Sequence, residues 1–332
     1  MSNQFGFSRV YVEEALREDR GGRDIIDRLD LPTITIGRHQ ELFNRSNQRF
    51  QHQKRNPALI LARKEGTLLY TGSERIRSFG DDRIRYVDQV RNCVYNCDYC
   101  FLQGMHRSAH ILFHLNSEDY EEAVRREAQK GALYLSISYL TDLLAFEGLY
   151  PFVGRWLRFA RREPQVEVEL RTKSDNTPII LTEDPPPNGV LVFSLSPASV
   201  ASTVERGTAA FQSRLLHARQ AARRGWRLRL CFDPILAIPR WREVYGEAIK
   251  TTFSRLRSHE VEEVSLGVFR IHPDYMKRIR KERQDSPILY YPFKGDPGIL
   301  SYEEELRGEM VGYLRELLER YISPEQITTV HG

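Results

Sequence analysis

Residues 92–101 read Asn92-Cys93-Val94-Tyr95-Asn96-Cys97-Asp98-Tyr99-Cys100-Phe101, three thiols spaced Cys-x3-Cys-x2-Cys directly after the strand-like run Ile84, Tyr86, Val87, Val90. Thiols this close in sequence point to one shared metal centre. A cubane [4Fe–4S] cluster ordinarily takes four cysteine ligands, so a set of three leaves one iron open to a non-protein ligand. The chain has four cysteines, the fourth being Cys231. With three committed to a cluster, no pair remains for a disulfide framework, and a cytoplasmic location is expected. Residues 1–14 are polar and charged, unlike a signal peptide. No apolar run approaches the roughly 18 residues that span a bilayer, so no membrane association is expected. Zinc is the competing reading, because His106 and His110 follow closely and structural zinc closes a tetrahedron with four Cys or His ligands. The compact spacing nevertheless departs from the paired Cys-x2-Cys knuckles of zinc ribbons.

Outward from this loop, the pattern is of the α/β class. Strands are expected over 85–90, 132–138, 166–172, 190–195, 227–232 and 263–269. Helical patterns fall between them: one from Asn116 or Ser117, with acids in its first turn and Gly131 past its end, and others over 150–162, 209–224 and 242–257. Six such alternations predict a parallel sheet with helices on its outer face, a partial (β/α)6 TIM-like barrel over residues 84–270. Residues 1–83 are expected to form an N-terminal extension packing on the barrel. Residues 271–332 are expected to form a helical and hairpin element covering its mouth. A capping box, Ser301-x-x-Glu304, predicts the start of the last helix. Its stripe of Leu306, Met310, Leu314, Leu317 and Tyr321 has helical spacing and serves packing. Active sites of such barrels form at the C-terminal ends of the strands, and the cysteine loop follows the first strand as that rule requires.

With Tyr99 just before its last cysteine, the loop resembles that of the radical S-adenosylmethionine (SAM) enzymes. The longer run Cys97-Asp98-Tyr99-Cys100-Phe101-Leu102-Gln103 resembles the spore photoproduct lyase family of DNA repair enzymes. Similar segments recur at Leu170-Arg171-Thr172-Lys173, Val192-Phe193-Ser194, Glu205-Arg206-Gly207-Thr208 and Phe232-Asp233-Pro234-Ile235, so the resemblance runs from about residue 85 to 270. It implies a [4Fe–4S] cluster on Cys93, Cys97 and Cys100 whose open iron chelates SAM. It further implies reductive cleavage of SAM to a 5′-deoxyadenosyl radical, fed by a low-potential donor such as ferredoxin or flavodoxin. SAM contacts are implied at Tyr99, Thr141, Asp142, Lys173 and Ser194. These types suit the task, since an ammonium pairs with a carboxylate and a hydroxyl donates or accepts.

The chain departs from that family in two places. The lyases place a hydrogen-donating cysteine at the end of the second strand, where this chain has Tyr139. Tyr139 is therefore one candidate donor, relayed through Tyr99, and Cys231 is a second. The tyrosine that follows the last cluster cysteine in the lyases is Phe101 here. The lyases also carry a basic β-hairpin that wedges into the lesion, whereas residues 286–300 have a single cation, Lys294. Tyr290, Tyr291 and Phe293 in that stretch can stack on bases or pack at the barrel mouth. Net charge is only +4. Cations concentrate at Arg45, Arg49, Lys54, Arg55 and Arg63, and at Arg270, Lys277, Arg278, Arg280, Lys281 and Arg283. Two such segments can grip a phosphate backbone. The expected substrate is a DNA lesion. The alternatives are a radical SAM enzyme acting on RNA, protein or a small molecule, and a non-enzymatic iron–sulfur or zinc protein that binds nucleic acid.

Overall fold

The computed structural model of the chain describes residues 5–72, 83–296 and 298–330. Its core is a run of six strands: β1 Ile84–Val87, β2 Leu133–Ser136, β3 Val166–Thr172, β4 Gly189–Ser194, β5 Arg227–Ile235 and β6 Glu263–Val268. Each pairs in parallel with the next in chain order. Parallel strands covered on both faces read as near-continuous apolar runs, and Val190, Leu191, Val192 and Phe193 are all fully buried. The helices that return the chain between strands bury one face only. Helix Phe152–Arg162 buries Phe152, Trp156, Phe159 and Ala160 and exposes Arg158, Arg161 and Arg162, the periodicity of a surface helix. All six expected core strands are present. Two more strands extend the sheet. Leu69–Thr71 runs antiparallel along β1, and Ile327–Val330 runs parallel along β6. Among the described residues these two edge strands do not pair with each other, so the sheet is open.

The first expected strand proves to be two. Val87 ends β1, the buried Asp88 and Gln89 turn the chain out of the sheet, and Val90–Arg91 joins a second sheet instead. That sheet has the order Thr33–Ile36, Val10–Glu13, Leu59–Ala62, Ile111–His114, Val90–Arg91. Its first four strands are mutually parallel and the last is antiparallel. Ile111–His114 went unrecognised in the sequence because a wholly buried run of this length shows no alternation. The sheet crosses the division drawn at residue 83, drawing strands from both sides of it. The cysteine loop therefore emerges between two sheets.

After β6, Arg270–Ile271 pairs with a short hairpin of Lys294–Asp296 and Ile299–Ser301. Helix Pro273–Glu282 intervenes, and helix Glu304–Leu318 follows. The capping box expected at Ser301 does not form. Ser301 is held in the hairpin ladder and its hydroxyl donates to the Phe269 carbonyl at 2.7 Å, so the helix begins beyond Glu303 without a side-chain cap. The apolar stripe packs as expected, with Met310, Leu314 and Leu317 buried.

Candidate active site

The C-terminal ends of the core strands surround a cavity of about 520 Å³. Cys93, Cys97 and Cys100 all line it. Their loop is positioned from several distant points of the chain. Asn92 takes a left-handed conformation (φ 67°), and its amide donates to the Ser108 and His110 carbonyls at 2.7 and 2.8 Å. Cys97 bridges Glu205, and the Asp98 amide donates to Val204 O at 2.8 Å. Asp98 itself is buried against two arginines, Arg283 at 2.7 Å and Arg206 at 3.2 Å. Gln103 donates to the Cys97 carbonyl at 2.7 Å, and the Lys54 ammonium donates to the Cys93 carbonyl.

Burial pushes the Cys93 thiol up to about 12 and raises Cys97 and Cys100 as well. Thiols so buried ionise only when a positive centre compensates, and a coordinating metal supplies that compensation. Lys54 feels the same desolvation, which lowers its pKa against the pull of the three cysteines. The donor set fits an iron–sulfur cluster, whose separate irons spread their thiolates widely. Among the described residues no three Cys, His, Asp or Glu side chains converge as a single ion requires. The two histidines considered for zinc lie elsewhere. His110 Nδ1 accepts the Ala58 amide at 3.0 Å, and His106 packs on Phe43, ring centroids 5.2 Å apart.

The residues expected to meet SAM do line the same cavity: Tyr99, Thr141, Asp142, Lys173 and Ser194. Thr141 Oγ1 is buried without a hydrogen-bond partner among the described residues. Lys173 carries its ammonium 5.8 Å from the Tyr99 ring centroid. Burial works against that charge, but Glu205 and Cys97 outweigh it and raise the pKa. The Asp142 carboxylate accepts from Thr172 Oγ1 at 2.9 Å and from the Lys173 amide at 2.7 Å, so it also fixes the end of β3. Burial raises its pKa. Glu205 is the hub that sequence reasoning quoted without giving it a role. It accepts hydrogen bonds from Tyr99, from Ser196 at 2.7 Å and from the fully buried Arg214 at 2.5 Å. Arg214 in turn donates to the Ser194 carbonyl at 3.0 Å.

The two expected hydrogen donors are placed differently. Tyr139 lines the cavity, its ring 4.7 Å from Tyr86 and 5.6 Å from Phe101. Tyr99 turns its hydroxyl to Glu205, so the expected relay from Tyr139 through Tyr99 is not assembled. Cys231 is fully buried beside Val190 and Val192, with its sulfur 3.6 Å from Arg171 Nη1, and is not among the residues lining the cavity. Burial pushes its thiol up to about 11. Two ion pairs in the cavity wall were missed, Glu169–Arg171 at 3.1 Å and Asp233–Arg270 at 3.0 Å. Their signal was charge at inward positions of otherwise apolar strands.

Several of the cations read as a phosphate grip are consumed internally. Arg270 pairs with Asp233, Arg283 with Asp98, and Arg63 with Asp119. Arg278 and Arg280 donate to the Gly104 and Leu289 carbonyls. The hairpin's Lys294 pairs with Glu303 at 3.1 Å. Tyr291 and Phe293 pack against Tyr302, while Tyr290 is 49% exposed.

A family model described as spore photoproduct lyase matches residues 86–285. Among solved structures, the chain is similar to a spore photoproduct lyase complexed with dinucleoside spore photoproduct, with TM-score 0.84, 16% identity, and 98% of this chain and 99% of that one covered. A doubly substituted spore photoproduct lyase with bound AdoMet and dinucleoside spore photoproduct gives TM-score 0.82 at 16% identity, covering 98% of each chain. Streptococcus suis SuiB bound to its precursor peptide SuiA gives TM-score 0.52 at 13% identity, over 75% of this chain and 48% of that one. No curated protein sequence matches the chain.

Proposed function

Because the chain belongs to the spore photoproduct lyase family of radical SAM enzymes, we propose that it repairs a thymine photolesion in DNA, with Cys93, Cys97 and Cys100 holding a [4Fe–4S] cluster. One observation carries the reading: the three thiols share their cavity with the Lys173 ammonium and with the Thr141 hydroxyl, which is buried with no hydrogen-bond partner among the described residues. When bound, the cluster and SAM supply the one-electron chemistry that generates a 5′-deoxyadenosyl radical. The residues of the chain do the rest. Lys173 receives the carboxylate or ribose oxygens of SAM, with Glu205 keeping the ammonium charged. Ser194 ends β4 and Thr141 follows β2, and both residues line the cavity with a hydroxyl to offer. Asp142 holds β3 in register beneath them, and Tyr99 presents its ring to the same space.

Tyr139 lines the same cavity and is the group proposed to finish the reaction. Its O–H bond breaks as a C–H bond forms on the substrate radical, leaving a tyrosyl radical among Tyr86 and Phe101. The aromatic and ion-paired walls around it suit a substrate with flat rings and polar edges. The lesion strand would pass the hairpin, whose Gly298 and Ile299 line the cavity. A second reading, a substrate that is RNA, protein or a small molecule, is favoured by that hairpin's one cation being paired to Glu303. No helix among the described residues is long and apolar enough to cross a membrane, and all four cysteines are free, in keeping with a cytoplasmic enzyme.

Anaerobic reconstitution with iron and sulfide, reduction, and mass spectrometry with and without dinucleoside spore photoproduct test both levels. Formation of 5′-deoxyadenosine together with restored thymines is expected. Without 5′-deoxyadenosine the radical reading fails. With 5′-deoxyadenosine but no thymine product, the lesion assignment fails.

A further inference from the structure

Helix Phe50–Lys54 and the turn before it lie directly on the cysteine loop, and the outer face they present is basic. Gln51 donates to Asn96 at 3.2 Å and to Gln103 at 2.6 Å, and Lys54 reaches the Cys93 carbonyl. Asn44 accepts the Arg107 amide at 2.8 Å, which brings Arg107 beside Arg45. Arg45, Arg49, Arg55 and Arg107 are exposed, and none has an ion-pair partner among the described residues. On the barrel flank, by contrast, Arg85, Arg125 and Arg227 pair with Glu127, Glu163 and Glu262. Two carboxylates bonded to this segment are taken up by its backbone amides, Glu41 accepting from Arg38 at 2.8 Å and Glu282 from Gln51 at 3.0 Å.

No residue of 38–64 lines the cavity. A substrate bound on this face would not reach the chemistry, but an electron would, since one side chain, Lys54, separates the surface from the backbone of Cys93. We propose that this face docks an acidic one-electron carrier protein that reduces the cluster, a reading that rests on the cluster assigned above. The step moves one electron from the reduced carrier, which is oxidised by one, to the cluster, which is reduced by one, with no proton or bond exchanged. Complementary charge of this kind raises association rates by on the order of 10–10³ and is screened by salt.

The test uses the full-length, cluster-loaded chain and an acidic flavodoxin in its hydroquinone form, with cluster reduction followed by stopped-flow absorbance. Joint substitution Arg45→Glu, Arg49→Glu, Arg55→Glu and Arg107→Glu should slow reduction by flavodoxin about tenfold or more at low salt. Reduction by photoreduced 5-deazariboflavin, a neutral small molecule, should stay within about twofold, because an uncharged reductant is not steered by this patch. The wild-type rate with flavodoxin should fall steeply as salt rises. A matched reversal at Arg223, Arg255, Arg257 and Arg320 should leave it unchanged, and the corresponding Arg→Gln set at the proposed face should give an intermediate loss without reversing charge. A flavodoxin rate unchanged in both sets overturns the proposal. So does loss of oligonucleotide affinity with flavodoxin reduction intact, which would make the face a nucleic-acid surface. Failure of the wild-type chain to form a chromophoric cluster would instead sink the cluster reading on which the proposal rests.

Discussion

Substituting Glu205→Gln keeps the volume of the side chain and removes its charge from a site where both partners are shielded from water. The Glu205 and Arg214 side chains are each 0% exposed, with Nη2 and Oε2 2.5 Å apart. At an effective dielectric near 20, the attraction at that separation is about 7 kcal/mol before desolvation is counted. Removing one member of such a buried pair typically costs about 3–5 kcal/mol, because the other charge stays buried and uncompensated. Glutamine can still accept from Tyr99 and Ser196, but its amide nitrogen then faces the Arg214 guanidinium, donor against donor. The expected loss is therefore about 3–5 kcal/mol, measured by anaerobic urea unfolding of the metal-free chain. Arg214→Met should cost a similar amount, and the double variant less than the sum, since it buries no lone charge. Burial opposes ionisation of Glu205, but Lys173 and Arg214 outweigh it and hold the carboxyl below its ordinary range. A depressed carboxyl contributes stability above the unfolded pKa of about 4.3 and loses it as pH falls through the folded value. The gap between wild type and Glu205→Gln should accordingly narrow below about pH 4. A loss under about 1 kcal/mol at neutral pH would refute the claim that this pair is desolvated and holds the floor of the site.

Lys173→Met should weaken SAM binding about tenfold to a hundredfold by equilibrium dialysis, the worth of a charge-assisted bond, while moving the unfolding midpoint little. Equal affinity would remove Lys173 from the site. Gly104→Ala should destabilise by about 1–3 kcal/mol or more, because a methyl there would lie 2.3 Å from Tyr275 Cβ and 2.8 Å from its backbone oxygen; urea unfolding reads this directly. Arg283→Met should cost about 1–3 kcal/mol, less than an unshared buried pair, since Arg206 remains 3.2 Å from Asp98, and iron retention after exposure to air should fall with it. Tyr139→Phe should leave 5′-deoxyadenosine formation intact and divert or stall the repaired product, and unchanged product would exclude Tyr139 as hydrogen donor.

The core strands were legible because parallel strands buried on both faces carry apolar runs that stand out from amphipathic helices. The cysteine loop was legible because its spacing is local. What escaped notice depends on residues far apart in the chain. Nothing in the sequence tells that Asp88 and Gln89 turn the chain from one sheet to another, because a strand break without Gly or Pro leaves no local mark. Ile111–His114 was missed for its uniform burial. Arg283 and Lys54 looked like members of surface charge runs. Their roles on Asp98 and Cys93 appear only when segments 185 and 39 residues distant are brought together.

The two halves of the site are held by different forces, and this bears on where the chain departs from its family. The groups assigned to initiation sit in a lattice of buried charges, with Asp98 on Arg283, Glu205 on Arg214, and Lys173 facing Glu205. Exchanging Asp98, Glu205 or Arg214 leaves a charge stranded in a desolvated site, so such positions resist change one residue at a time. Tyr139 is held by ring contacts with Phe101 on one side and Tyr86 on another. Interiors tolerate swaps there as long as volume and shape are conserved. A tyrosine at position 139, proposed above as the hydrogen donor, and a phenylalanine at position 101 can therefore arise together without disturbing the charged lattice. On the proposed function, the difference in chemistry lies at hydrogen return, while the groups proposed to hold SAM rest on buried charges that resist single exchanges.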